Sequence, residues 1–299
     1  MPATDTQKFR IIYFSGTGNT AWVVNAVENA LNENGHQCLS IQADRLQAEC
    51  GRALDRKPDV EKLRARLAEF LHDESVLVIA YPTYASDIPL PLRELLPLLP
   101  EGQGRGLAVI STILMAGGDA CLRPSQILNK KGYSPFLATY VRMPNNIKIP
   151  GFDFFELKNG DDLKPFYQSA GSAVEEIVKE LTLRKAHQEG RSVADYLLGA
   201  SQRLGESFFG DFWIKHFFAD AKCRRCGLCA SICPMANISF AKGYPDFGKE
   251  CCVCLRCYNF CPEEAVQITD KTMDRARYVR YKGFDGYKPP LLRSVSGTA

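Results

Sequence analysis

FRIIYFSGTGNT, residues 9–20, decides how the first two thirds of the chain must fold. Phe9 to Phe14 is a short apolar run of buried-strand length, and Ala21 to about Asn32 has helical character. Between them lies Ser15-Gly16-Thr17-Gly18-Asn19-Thr20. A strand, a Gly-rich turn and a helix N-terminus make an anion site, because the glycines let the backbone curl and the first-turn N–H groups face the anion. The loop has no Lys, so it is not a nucleoside-triphosphate loop. With only Gly16 and Gly18 it is not a Gly-x-Gly-x-x-Gly dinucleotide turn either. Ser15, Thr17, Asn19 and Thr20 offer neutral donors suited to a terminal phosphate, as FMN carries.

Outward from this stretch, strand and helix patterns alternate. Strands are expected at Gln37–Ile41, Ser75–Ala80, Leu107–Ser111 and Phe136–Val141. Helices are expected at Val60–Leu71, from Asp119 to about Lys131, and at Asp161–Lys185, with a loop at Asp55–Pro58. Gly102, Gly104 and Gly106 precede a strand instead of following one, which makes them a connection and not a nucleotide site. The run Tyr13 to Thr20 resembles the phosphate loop of flavodoxins. That resemblance implies a doubly wound parallel five-stranded sheet of order 2-1-3-4-5, with FMN over the carboxyl ends of the strands. It also implies that Pro82, Thr83, Tyr84 and Ala85, with Tyr81, frame one side of the flavin ring. Thr112, Gly117, Gly118 and Asp119 would frame the other.

A second pattern dominates the C-terminal third. Cys223, Cys226, Cys229 and Cys233-Pro234 follow Cys-x2-Cys-x2-Cys-x3-Cys-Pro spacing, and Cys251, Cys254, Cys257 and Cys261-Pro262 repeat it. This is the ligand run for two [4Fe–4S] clusters, in which each fourth Cys serves the other cluster. One cluster is then expected on Cys223, Cys226, Cys229 and Cys261, and the other on Cys251, Cys254, Cys257 and Cys233. Zinc sites use paired Cys with longer spacers. Cys252 doubles Cys251, but only Cys251 keeps the spacing to Cys254. Ile238 and Ile268 stand at roughly corresponding places beyond the two Cys-Pro pairs. Cys38, Cys50 and Cys121 read as ordinary thiols, Cys121 being near enough to the third flavin loop for a redox role to be considered.

With eight of twelve cysteines in two tight repeats, metal binding in a reducing compartment fits better than disulfides, and a cytoplasmic location is expected. No apolar run is long enough for a membrane span, and Met1–Arg10 lacks the apolar stretch of a secretory signal. The net charge is +3, yet from Ser207 onward 14 Lys plus Arg face 9 Asp plus Glu. Lys271, Arg275, Arg277, Arg280 and Lys282 cluster in the tail, either as solvated charge or as a docking patch for an acidic electron donor. No nucleic-acid recognition motif accompanies them.

The expected organisation is a flavodoxin-like FMN domain over 1–190, a helical aromatic connector over 191–218, a small α+β 2[4Fe–4S] ferredoxin domain over 219–270, and a basic tail over 271–299. Phe208, Phe209, Phe212, Trp213, Phe217 and Phe218 suit packing between the two domains. Met143-Pro144-Asn145 is similar to a segment of proteins that fuse a flavodoxin-like domain to a bacterial ferredoxin, the EFR1-type fusions. The expected activity is an FMN- and iron–sulfur-dependent oxidoreductase. Single electrons from a ferredoxin or other low-potential donor would pass through the clusters to FMN and on to an unidentified acceptor. A pure electron carrier between partner proteins is the alternative.

Overall fold

The computed structural model describes residues 6–53, 56–240, 243–284 and 286–294, apart from the side chains of 206–211. Phe208, Phe209 and Asp55 therefore lie outside the described residues. The first unit runs β1 (Lys8–Tyr13), α1 (Asn19–Glu33), β2 (Gln37–Gln42), α2 (Ala43–Glu49), α3 (Val60–Phe70), β3 (Val76–Pro82), α4 (Leu90–Leu95), β4 (Gly106–Ile113), α5 (Arg123–Leu128), β5 (Ser134–Arg142), α6 (Lys164–Thr182) and β6 (His187–Gln188). The sheet order is β2-β1-β3-β4-β5-β6, and all pairs are parallel. The first five strands have the flavodoxin-like order 2-1-3-4-5.

The expected five strands become six. His187 and Gln188 leave α6 and pair with Leu137 and Ala138, covering the edge that β5 would otherwise present. The sheet is buried on both faces, and its strands divide their side chains accordingly. Phe9, Ile11, Val76, Val78 and Ala80 pack under α1 and α6. Ile12, Phe14, Leu77, Ile79 and Tyr81 pack toward α2–α5 on the opposite face. Period-2 alternation thus builds two cores from near-continuous apolar runs. Helix starts follow local chemistry: Asp59 accepts from the Lys62 amide to cap α3.

The connector is one 24-residue helix, α7 (Val193–His216), opened by a Ser192–Asp195 capping box. It lies against the loop after β4. Gly118 has φ +55°, and the α7 backbone at Gly199 comes so close that a Cβ on Gly118 would meet it at 2.8 Å. Arg203 reaches across to pair with the buried Asp119 at 2.6 Å and to donate to the Ser86 carbonyl at 2.8 Å. Trp213 and Phe217 continue the contact into the core of the second unit, as a domain seam should.

The second unit is a repeat with a period of 28 residues, the separation of Cys223 and Cys251. After β7 (Phe218–Ala219), helix α8 (Leu228–Ser231) is matched by α9 (Arg256–Asn259). Strand β8 (Ile238–Ser239), paired with β9 (Asp246–Phe247), is matched by β10 (Val266–Gln267), which pairs with β7. Ile238 therefore corresponds to Val266, and the expected match to Ile268 is corrected. Left-handed residues recur at the same interval: Arg225 and Val253, Gly227 and Leu255, Ala236 and Glu264. Five of these six are not glycine, so the loops around the cysteines carry backbone strain in both halves.

Replacing Arg203 with Ala strands the Asp119 carboxylate, which is only 2 % exposed. Arg203→Ala should lower stability by about 3 kcal/mol in urea unfolding. Adding Asp119→Asn should recover much of that loss.

Candidate functional site

The loop of residues 15–20 stands at the carboxyl end of β1, at the switch point of the sheet. The Ser15 hydroxyl accepts from the amides of Gly18 and Ala21, and the Trp22 amide bonds to the Gly18 carbonyl. The amides of Gly16, Thr17, Asn19 and Thr20 have no acceptor among the described residues. Four unpaired donors at a helix N-terminus are the composition of a phosphate cradle. The side chains behave differently from the expectation. Thr20 and Thr112 share a hydrogen bond of 2.8 Å, Asn146 donates to Thr17 at 2.6 Å, and Asn19 donates to the Pro144 carbonyl at 2.9 Å. These groups fix the loop's shape, leaving the backbone amides to meet an anion. Tyr84 adds a further donor: its hydroxyl is buried beside Gly16 without a partner. A Cβ on Gly16 would stand 2.4 Å from that hydroxyl and 3.0 Å from the Cys254 carbonyl, so only glycine fits. These residues fit the phosphate end of FMN.

Beside the loop a chamber of about 250 Å³ is bounded by Asn19, Pro82–Ala85, Thr112–Ala116 and Met143–Ile147. Thr83, Tyr84 and Ala85 are shared with a second chamber of about 410 Å³, which continues to Trp213 and to Val253–Leu255. The expected flavin loops therefore converge, with the Met-Pro-Asn segment as a third wall. Gly117, Gly118 and Asp119 lie apart from both chambers, held under α7 as described. Tyr81 is fully buried and donates to the Ala120 carbonyl at 2.5 Å, as a core residue does. Cys121 is buried as well; its thiol bonds to the Glu189 carbonyl, and burial pushes it up to about 12.

The eight repeat cysteines form two neighbouring groups. Cys229 lies within electrostatic reach of Cys261, Cys223 and Cys226. Cys257 lies within reach of Cys251, Cys254 and Cys233, and also of Cys229 from the neighbouring group. This is the crossed pairing that two cubane clusters need. Burial pushes Cys229 and Cys251 up to about 12 and raises Cys257 as well, so these three thiols are neutral when bare. Iron would hold them as thiolates. Backbone amides point at sulfur at 3.4 Å from Asn237 to Cys233, 3.3 Å from Val253 to Cys251 and 3.2 Å from Ala265 to Cys261. Such bonds stabilise and tune cluster sulfurs. Among the described residues no three His, Cys, Asp or Glu side chains converge on a single metal ion. In a cubane each Cys takes a different iron, so the sulfurs stand apart, and the donor set fits that group. Cys252 is half-buried next to Cys254 and hydrogen-bonds it, which lowers the pKa of the Cys254 thiol.

The two units are locked together by a residue that motif reading passed over. Arg256, with no exposed surface, lies between Cys254 and Cys257. Its guanidinium donates to the Ser15 carbonyl at 2.5 Å, the Gly16 carbonyl at 2.9 Å, the Ile232 carbonyl at 3.2 Å and Asp44 at 2.6 Å. It also lies 5.1 Å from the centre of the Phe14 ring. Burial disfavours its charge, but Asp44 more than compensates and the pKa rises. The repeat itself held the signal, because the matching residue in the first half is the apolar Leu228.

The tail adds a second tie. Tyr281 donates to Asn19 at 2.6 Å, the Tyr287 ring covers Gly18, and Arg293 donates to the Cys233 carbonyl at 2.7 Å. Its cations are mostly spoken for. Arg275 pairs with Asp220, Arg277 with Asp153 and Lys282 with Glu264, while Arg280 is buried 3.4 Å from the centre of the Tyr258 ring. The tail is thus a strap and not the free basic patch that one reading of its charge suggested.

No family model matches the chain, and no curated protein matches it. Similar folds occur among solved structures. The rubredoxin oxygen:oxidoreductase of Desulfovibrio gigas is 14 % identical over 57 % of this chain, with a TM-score of 0.36; the match spans 37 % of that protein's length. A flavodoxin from the domain Archaea is 16 % identical over 58 % of this chain and 99 % of its own, with a TM-score of 0.31. The general stress protein 14 of Treponema denticola, solved in complex with FMN, is 14 % identical over 58 % and 99 %, with a TM-score of 0.35. The strand order makes the first unit flavodoxin-like.

Arg256→Met leaves Asp44, itself fully buried, without a counter-charge. The single variant should lose about 3–5 kcal/mol, and Arg256→Met with Asp44→Leu much less. A chemical-denaturation double-mutant cycle reads the coupling directly.

Proposed function

We propose that the chain is an FMN- and iron–sulfur-dependent oxidoreductase. Single electrons from a ferredoxin-like donor pass through two [4Fe–4S] clusters to FMN and on to a small-molecule acceptor. The observation that carries this reading is the position of Cys254. This residue of the inner cysteine group lines the same cavity as Thr83–Ala85, beside the phosphate loop. A cluster held there would abut a flavin bound at the switch point, and the flavin's part is to take up single electrons and release them singly or in pairs. The protein's part is to hold the two groups in register. Arg256 does so by bonding Ser15 and Gly16 from the turn between two cluster ligands.

One cysteine of each group differs in exposure, which offers the outer group as the place where a partner docks. Cys226 of the outer group is exposed, whereas Cys254 of the inner group is buried. Around Cys226 stand the exposed cations Lys222 and Arg225, with Arg224, also exposed, paired to Glu263 at 3.2 Å. An acidic donor is attracted to such a face, and its approach is screened by salt. A carrier would need only an exposed flavin edge. The 410 Å³ chamber between Thr83–Ala85 and α7 favours an enzyme over a pure carrier.

Protein purified without oxygen should contain about eight iron and about one FMN per chain. Near-zero iron with bound zinc would sink the proposal. Cys226→Ser should remove one cluster's signal in electron paramagnetic resonance while FMN stays bound. Changing Lys222, Arg224 and Arg225 together to Gln should slow reduction by an acidic ferredoxin at low salt. The difference from wild type should disappear near 1 M salt, where the screening length is about 3 Å.

A further inference from the structure

The two chambers that meet at Thr83–Ala85 also share Asn146, Ile147, Phe152 and Gln202, and they differ in where they lead. The smaller ends at Asn19 and Thr112 beside the phosphate loop and holds the flavin in the reading above. The larger takes no part in the phosphate loop. Its walls are Ile147, Ile149, Phe152, Trp213, Val253 and Leu255, and no charged side chain among the described residues lines it. Its amide and hydroxyl groups are neutral and most are committed, while the Cys254 sulfur in its wall is taken by a cluster in the reading above. Asn146 donates to Thr17 and Thr83 is bonded to Ser111. Gln202 Oε1 meets the Ser86 hydroxyl at 2.6 Å, which leaves the Gln202 NH2 as the donor that a ligand can use. Phe152 packs edge-on to Trp213 at 5.3 Å and stacks on Phe154, which is 71 % exposed, so a run of rings leads from the surface to the chamber.

We propose that this chamber binds a neutral, flat, ring-bearing molecule with a carbonyl acceptor for Gln202, and that this molecule is the acceptor of the site. An anion or cation would be buried there without a partner, which is strongly unfavourable. A volume of about 410 Å³ suits a small molecule of two or three rings and not a polypeptide segment. The role as acceptor rests on the flavin reading above; the binding rests on the chamber alone.

Calorimetric titration of the full-length protein, with bound flavin measured by absorbance, tests this. The probes are 2-acetonaphthone and two charged analogues of similar shape, 2-naphthoate and 2-naphthylmethylammonium. The ketone should bind, and both ions should bind about tenfold more weakly or worse. Gly205 lies in the chamber wall, and a Cβ there meets nothing within 4 Å. A first side-chain carbon has room at this position, and leucine suits a helix better than glycine does. Gly205→Leu should therefore cut ketone affinity about tenfold or more at unchanged thermal stability. Gln202→Leu should weaken the ketone but leave 2-isopropylnaphthalene, which has no acceptor, unaffected. Absence of ketone binding by protein that carries its flavin overturns the inference and leaves the flavin reading intact. Naphthoate binding as tightly as the ketone, or indifference to Gly205→Leu, also overturns it. Gly205-dependent ketone binding by flavin-free protein supports the chamber and counts against the flavin reading alone.

Discussion

Arg256 is carried on the turn between Cys254 and Cys257, yet it spends its guanidinium on the carbonyls of Ser15 and Gly16 and on Asp44. Taking a charge fully out of water is costly unless its partner and every remaining donor are satisfied. Here the carboxylate and three carbonyls take four of the five N–H groups. The arrangement exists only when both units are folded and docked, because Ser15, Gly16 and Asp44 belong to one unit and Ile232 to the other. One side chain thus couples the geometry of the phosphate loop to that of the inner cysteine group. The neighbouring contacts conform to it: Gly16 has no room for a side chain, and Tyr84 is wedged against it.

Around this junction the molecule closes from two further sides. Helix α7 fixes the loop after β4 through Arg203 and Asp119 and roofs the larger chamber with Trp213. The tail crosses the phosphate loop through Tyr281 and Tyr287 and then returns to the first cysteine run through Arg293. Arg256, Arg203, Tyr281 and Arg293 are hydrogen-bonded across these contacts, which favours one docking geometry over a loosely tethered pair of modules. A fixed separation between a flavin site and a cluster site is what an internal relay requires.

Much of this was legible in the chain as written. Phe9–Phe14 is too apolar and too short to be anything but a buried strand, and SGTGNT after it needs a tight turn before a helix. The Cys spacing is legible because ligand geometry permits few alternatives. Other features were not. β6 is two residues long, and a backbone pair of that length leaves no pattern. Thr17, Asn19 and Thr20 were expected to present side-chain donors to a phosphate, but the partners that occupy them, Asn146, Pro144 and Thr112, lie about 90 to 130 residues away in sequence. The charge in the tail was legible; its neutralisation by Asp153, Asp220 and Glu264 was not.

By itself, then, the sequence determined what is set by local chemistry: the Gly-rich turn before a helix, the alternation that makes a parallel sheet, and two cysteine runs of repeated spacing. These follow from short-range rules of backbone freedom, side-chain period and ligand spacing. Only the tertiary structure decided how the two motifs face each other, because that depends on desolvation. A lone Arg between two cysteines reads as an exposed charge until a buried carboxylate 212 residues away is seen to hold it.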